Sequence, residues 1–239
     1  YKRGVIVTLS WHPWNPATGE NAWDPKGDAV AAVLDGGAQQ QKFDSWLKKV
    51  SDFILSLKTE DGKLIPVIFR PWHEMNGGWF WWGANSCTPA QYNQLYANTY
   101  HRLTKAGCSN IVWAWSPNLG SEKTVEAFLE RFPGEQYVDM VGIDIYEFDN
   151  NDAAYQQNLS VSLDVMMAAA KKVVKAGDTT DKLSKVSIIC QQNKFDELKE
   201  ALNAIDVNGI TVTQVMGCGS QRGISTKYRG AELNVMLVP

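Results

Sequence analysis

The sequence lacks any long apolar run. No stretch of 18 apolar residues occurs in its 239 positions, so no membrane span is expected. It also lacks an excess of either charge: 23 Lys and Arg against 26 Asp and Glu leave a net charge of -3. That balance offers no basic surface to a nucleic acid and no acidic tail. Cysteine is sparse. Cys87, Cys108, Cys190 and Cys218 are the four, no pair stands at metal-ligand spacing, and neither a metal nor a cofactor is expected. Cys87 follows one expected strand and Cys108 precedes the next, which places them at opposite ends of a parallel barrel, so a disulfide between them is not expected. Cysteine usage therefore leaves the compartment open. Internal repeats and low-complexity tracts are absent. The chain opens on Tyr1-Lys2-Arg3-Gly4 and runs directly into a strand, so no signal peptide is expected in it. Tryptophan is missing from the second half: all ten lie at or before Trp115.

What is present is enough apolar material for a sizeable core, 44% of residues, arranged in alternating elements. Four short apolar runs, Gly4–Trp11, Leu64–Trp72, Asn110–Ser116 and Tyr137–Tyr146, read as strands. Helical patterns follow them at about Gln39–Lys58, Pro89–Ala106, Ser121–Arg131 and Asp152–Ala176. Pro89 and Ser121 suit helix starts, and Gly107 and Gly177 suit stops. The strands are continuously apolar and do not alternate, as in a parallel sheet buried on both faces. Repeated strand–helix units with Trp, His and Asn after the strands predict an α/β barrel.

The character changes at the polar stretch Gly177-Asp178-Thr179-Thr180-Asp181. A strand (Lys185–Cys190), a helix (Lys194–Ala204), a strand (Gly209–Met216), a glycine-rich loop (Gly217–Gly230) and a last strand (Ala231–Val238) follow. The expected architecture is a partial (β/α)8 TIM barrel of four βα units over residues 1–180. A β-α-β-β half unit of ferredoxin-like type follows over residues 181–239.

Every candidate functional group of the first part lies at the C-terminal end of an expected strand, the active-site face of such barrels. His12 ends the first, His73 and Glu74 the second, Trp115-Ser116-Pro117-Asn118 the third, and Asp144 and Tyr146 the fourth. Asp144 and Tyr146 point the same way by period-two alternation. Glycoside hydrolysis needs a carboxylic acid beside the scissile oxygen, in a partly apolar setting that keeps it protonated. Glu74 has that setting in Trp72, Trp79, Phe80, Trp81 and Trp82, which also offer flat faces for sugar rings. Blander assignments stand beside these. Glu74 could pair with Arg70, His12 and His73 could be packing histidines, and Asp144 could cap the following loop. Trp72 and Trp81 are expected in the core, with Trp79 the better sugar platform.

The segments VIVTLSWHPWNP, PVIFRPWHEMNGGWFWWG, NIVWAWSPN and YVDMVGIDIYEF resemble consecutive segments of glycoside hydrolase family 26, the β-mannanase family, over about residues 1–180. The resemblance implies a retaining, endo-acting hydrolase of β-1,4-mannan, with galactomannan or glucomannan as substrate and a secreted setting. It implies Glu74 as catalytic acid/base with His73 beside it supporting the nucleophile. It implies His12, Trp23 and Trp79 as sugar-subsite residues, and Asp144 and Tyr146 as groups that orient the nucleophile. Two departures matter. Tyr1–Gly4 matches the approach to the family's third strand, and the seventh strand, which carries the nucleophile, has no counterpart. Glu147 would point away from the barrel axis, and Glu197, Glu200 and Glu232 lie in the unlike second part. The retaining pair, about 5–5.5 Å apart, is therefore left without an identifiable second carboxylate. A carbohydrate-binding remnant without catalysis is the alternative.

Gly217-Cys218-Gly219-Ser220-Gln221-Arg222-Gly223 is not a P-loop, because it lacks the Gly-Lys-Ser/Thr ending and leads toward a strand. With its surroundings, residues 183–239 resemble the N-terminal half of the nitrogen regulatory PII signalling proteins. That resemblance implies Thr211, Gly217, Gly219 and Gln221 near a nucleotide and 2-oxoglutarate site. It also implies trimer formation as a route to an oligomer, and a cytoplasmic setting if this part dominates. Leu233 stands where some members carry a modifiable tyrosine, so uridylylation is not expected there. The phosphate-binding second half of that fold has no counterpart. A fused gene, an engineered chimera and a spliced sequence would all produce such a composite. The first four strands could pair with the PII-like strands, with another copy, or not at all.

Overall fold

The computed structural model describes residues 7–118, 124–145, 152–173, 186–189, 226–228 and 231–233. Strands β1 (Val7–Trp11), β2 (Val67–Pro71), β3 (Ile111–Trp115), β4 (Met140–Asp144) and β5 (Val186–Ile189) form one sheet in that order. Every neighbouring pair is parallel. Helices α1 (Ala29–Val33), α2 (Gln40–Ser56), α3 (Pro89–Lys105), α4 (Val125–Phe128) and α5 (Asp152–Val173) fill the crossovers. A short 3-10 turn at Glu135–Tyr137 leads into β4. Strands β6 (Thr226–Tyr228) and β7 (Ala231–Leu233) make a separate antiparallel pair. Parallel strands joined by helices are the βαβ unit of a TIM-barrel-like α/β fold, and they bring all strand C-termini to one edge.

Local sequence accounts for these helices. α2 buries Phe43, Leu47, Ser51 and Ile54, a spacing of four, four and three that lines one face. α3 begins with a capping box. The Thr88 hydroxyl accepts from Gln91 N at 3.2 Å, and the Gln91 side chain accepts from Thr88 N at 2.9 Å, with Pro89 in the first turn. Arg102 and Lys105 occupy its last turn, where cations suit the helix dipole. Gly107, at φ 94°, ends it.

The two faces of the sheet differ. Val67, Phe69, Trp113, Trp115, Val141 and Ile143 point toward the helices and join the main core. Ile68, Val112, Ala114 and Met140 form a small second cluster on the opposite face. Two residues further along β2, or just past the end of β3, the same face carries Arg70 and Ser116. On β1 and β4 it carries Ser10, which pairs with Arg70 in the register, and Asp144. A polar layer thus caps an apolar one, as inward residues stack in barrels.

Most elements fall where the sequence places them, with three differences. α1 was unforeseen. It is one short turn of Ala and Val that starts beside Asp28 in the left-handed region at φ 46°. α4 covers Val125–Phe128 and not the whole of Ser121–Arg131. β6 lies inside the stretch expected to be a glycine-rich loop. β5 falls within the strand expected at Lys185–Cys190 and hydrogen-bonds to β4, from Val141↔Val186 to Asp144↔Ile189, one of the pairings the sequence leaves open, so the parallel sheet has five strands. Tyr146, Glu147, Thr211, Gly217, Gly219 and Gln221 lie outside the described residues, as do the expected helix Lys194–Ala204 and strand Gly209–Met216. Among the described residues no helix is long and apolar enough to cross a membrane.

Candidate active site

The chain leaves β2 through a strained turn. Trp72 and Glu74, neither of them glycine, have φ of 55° and 54°, a conformation that costs on the order of 1–3 kcal/mol per residue and needs outside support. The support is visible residue by residue. The Trp72 carbonyl accepts from Tyr92 Oη at 3.0 Å, and its indole donates to Thr99 Oγ1 at 3.0 Å. The His73 carbonyl accepts from Trp82 Nε1 at 2.9 Å. Glu74 N donates to the Ser116 carbonyl at 2.8 Å, which ties the turn to the end of β3.

Glu74 is 1% exposed, and each of its carboxyl oxygens accepts a hydrogen bond. Trp79 Nε1 donates to its Oε2 at 2.9 Å, and Asn118 Nδ2 donates to its Oε1 at 3.2 Å. Trp79 can lie this close because it sits on Gly77, where a Cβ would come within 2.2 Å of the indole ring. Behind Glu74 is an aromatic box. Phe80 stacks on Trp82 at 4.3 Å between centroids, and His73 and His12 meet edge to face at 4.5 Å. Trp72 and Trp81 are wholly buried, so they belong to the core as expected.

A second network occupies the polar layer of the inner face. Arg70 forms an ion pair with Asp144 and donates to Ser116 Oγ and Ser10 Oγ, each at 3.2 Å. Ser116 Oγ donates to Asp144 Oδ1 at 2.6 Å. Asp144 is 3% exposed, and it presents both oxygens to these partners. A Glu74–Arg70 pair is the blander alternative that the sequence leaves open. The bond seen here runs across the sheet to the end of β4.

His12, just past β1, packs its ring against His73, Phe80 and Trp82. Loss of water around the ring, followed by the positive charge of Arg70, lowers its pKa below the ordinary value near 6.5, while Asp144 opposes the shift. The imidazole is therefore neutral at pH 7. The loop that follows is built on Asn15, itself fully buried. Its Nδ2 donates to the carbonyls of Asp24 and Lys26 at 2.8 Å each. Its Oδ1 accepts from Ala17 N and Thr18 N. Trp81 holds the loop from outside, donating to the carbonyls of Pro13 and Ala22. The loop displays two tryptophans, Trp14 at 65% exposure and Trp23 at 38%, and Trp23 leans on Phe80 at 4.7 Å.

The structure thus gathers Glu74, His73, His12, Trp23, Trp79 and Asp144 around one edge of the sheet. His73 is 3% exposed and sits behind His12. Sequence reasoning places Asn118 at the site only as the last residue of a strand end, and it gives no role to Asn76. Asn118 carried a signal, because it closes the Ser116-Pro117-Asn118 strand end, but nothing local assigns its partner 44 residues away.

Comparison with known proteins follows this geometry. The family model of glycosyl hydrolase family 26 matches residues 1–204. The chain belongs to glycosyl hydrolase family 26. Among curated family relatives, a mannan endo-1,4-beta-mannosidase of Bifidobacterium adolescentis is 34% identical over 84% of this chain and 21% of that protein. One of Bacillus subtilis strain 168 is 35% identical over 61% of this chain and 41% of that protein. The solved GH26 beta-mannanase of Bacteroides ovatus superimposes with a TM-score of 0.71 at 40% identity, covering 79% of this chain and 52% of that one. The family 26 chain therefore spans only part of the length of the relatives it matches. Residues 183–238 also match the model of the nitrogen regulatory protein P-II. The chain is a composite whose two matches overlap at residues 183–204, where β5 lies.

Proposed function

We infer that residues 7–173 carry the acid/base half of a retaining, endo-acting β-1,4-mannan hydrolase, with Glu74 as the acid/base. The observation that carries this reading is the position of Glu74. It is a buried carboxyl at the C-terminal end of a parallel strand, held by two N–H donors and walled by aromatic rings. Glu74 would protonate the glycosidic oxygen and then, as a carboxylate, take a proton from the attacking water. Trp79 and Trp23 would stack against sugar rings, neutral His12 would hydrogen-bond hydroxyls, and His73 would hold His12 in place. Asp144, with Tyr146 beyond it, would fix Arg70 toward the nucleophile, which remains unassigned. The partner is a mannan, galactomannan or glucomannan chain, and secretion is the setting that suits it. Hydrolysis of soluble galactomannan that disappears in Glu74→Gln tests the reading. Wild-type protein indistinguishable from blank overturns it.

One observation favours a second reading, binding without cleavage. Asp144 already has both oxygens committed to Arg70 and Ser116, which makes it a poor substitute nucleophile. Retardation in galactomannan gels without hydrolysis, reduced in Trp79→Ala, would decide for it.

The P-II match supports a finer proposal for residues 181–239. They would form a ferredoxin-like β-α-β-β half unit with Thr211, Gly217, Gly219 and Gln221 near a nucleotide and 2-oxoglutarate site, and would offer a route to an oligomer in a cytoplasmic setting. Calorimetry with ATP and 2-oxoglutarate, together with elution volume, tests it. No heat and a monomeric volume overturn it.

A further inference from the structure

The geometry points to Asn118 as the positioning residue of Glu74, holding its carboxyl in place and favouring its ionised form from the end of the neighbouring strand. This deepens the reading of Glu74 as acid/base, and it names a residue outside the sugar-contacting set.

Asn118 is anchored through its main chain and acts through its side chain. Asn76 clasps the main chain twice, donating from Nδ2 to the Asn118 carbonyl at 2.8 Å and accepting from Asn118 N on Oδ1 at 2.8 Å. The backbone also bridges to Asp144 in parallel fashion. With its backbone fixed, Asn118 has two amide hydrogens to place. One goes to Glu74 Oε1 at 3.2 Å and the other to the Asp144 carbonyl at 3.4 Å. A single amide thus joins the ends of β2, β3 and β4 across the site.

The chemistry follows from what these donors are. Asn118 Nδ2 and Trp79 Nε1 give hydrogen bonds and accept none, so both favour the carboxylate over the acid. Neither can take the proton when Glu74 holds it, which leaves that proton for another acceptor such as a leaving oxygen. Among the described residues, the charged and titratable groups facing this end of the sheet include Arg70 and Asp144 on the strands, His73 beside Glu74, and His12 past β1. All are unchanged when Asn118 alone is replaced. The main-chain clasp also survives that replacement, because both bonds of the clasp run to the backbone of Asn118. A role in folding and a role in ionisation can therefore be separated.

Trp79 provides the readout, because its indole N–H points at Glu74 Oε2 and its resonance should report the charge on that carboxyl. The experiment follows the Trp79 indole 1H–15N signal against pH in the full chain, with Trp79→Phe for assignment and Glu74→Gln as the non-titrating control. Asn118→Ala is expected to raise the midpoint by about 1 pH unit, a tenfold change in ionisation constant. Asn118→Asp, close in shape but without the second donor, is expected to raise it at least as far. Asn76→Ala, which loosens the clasp, should move it the same way by less. An unchanged midpoint in folded Asn118→Ala or Asn118→Asp overturns the assignment. So does a wild-type indole signal that titrates no differently from Glu74→Gln. Galactomannan hydrolysis is measured separately, so failure of the catalytic reading leaves this titration interpretable, and failure of the titration leaves the catalytic reading standing.

Discussion

The two faces of the parallel sheet do different jobs with alternate residues of the same strands. On β2, Val67 and Phe69 enter the core under the helices, while Ile68 and Arg70 face the opposite way. The helix-facing side is large and aromatic and gains stability from burial. The other side is small and apolar below and polar above, and its polar layer leads to the strand ends around Glu74. Stability and chemistry are therefore interleaved at a period of two. Substitutions one position apart should have unlike consequences.

The sharpest way to break this comparison is Glu74→Gln. If the strand ends carry the chemistry, hydrolysis of galactomannan should fall by roughly 10²–10⁴-fold with little change in denaturation midpoint. A large loss of stability would mean that the carboxyl is structural. Next in size is Phe69→Ala on the helix side. Removing a buried ring that sits edge-on to Trp113 should cost about 3–5 kcal/mol in urea unfolding, and the surviving folded fraction should keep its specific activity. Arg70→Met, one residue along and on the other face, leaves Asp144 buried without its cation and should cost about 3 kcal/mol. The double replacement Arg70→Met with Asp144→Leu should recover part of that loss. A double variant as unstable as the sum of its parts would deny that the pair acts as a unit.

The smallest effect concerns His12. Its folded pKa is lowered, so the unfolded chain takes up the proton first as the medium is acidified. Stability should fall as pH drops through the unfolded value near 6.5 and level off below the folded one. His12→Gln should flatten that part of the profile. An NMR midpoint for His12 above 6.5 would reverse the sign and discard the prediction.

The strands were legible because parallel strands buried on both faces are continuous apolar runs, and Val67–Pro71 and Ile111–Trp115 stand out as such. Capping chemistry made α3 legible in the same way. α1 escaped because five residues carry too little periodicity to register. The strand at Val186–Ile189 was legible as a strand but not as a neighbour of β4, because sheet order is set by long-range packing. At the site, Glu74 could be found from its own motif, in which carboxyl and tryptophans are adjacent in sequence. Asn118 could be placed only at its strand end and not with its partners, since those come together only where the ends of β2, β3 and β4 meet. Arg70 was visible with Glu74 as one possible partner, whereas the fold presents it to Asp144 across two strands.

The loop after β1 has a further consequence. Asn15 closes it from within, and from outside it is tied by Trp81 and by Lys42, whose Nζ donates to the Pro16 carbonyl at 3.1 Å. It behaves as a cassette with two ties. Such a piece could be transplanted onto another barrel of this type with its two displayed tryptophans, provided the recipient supplies a tryptophan where Trp81 stands and a lysine where Lys42 stands.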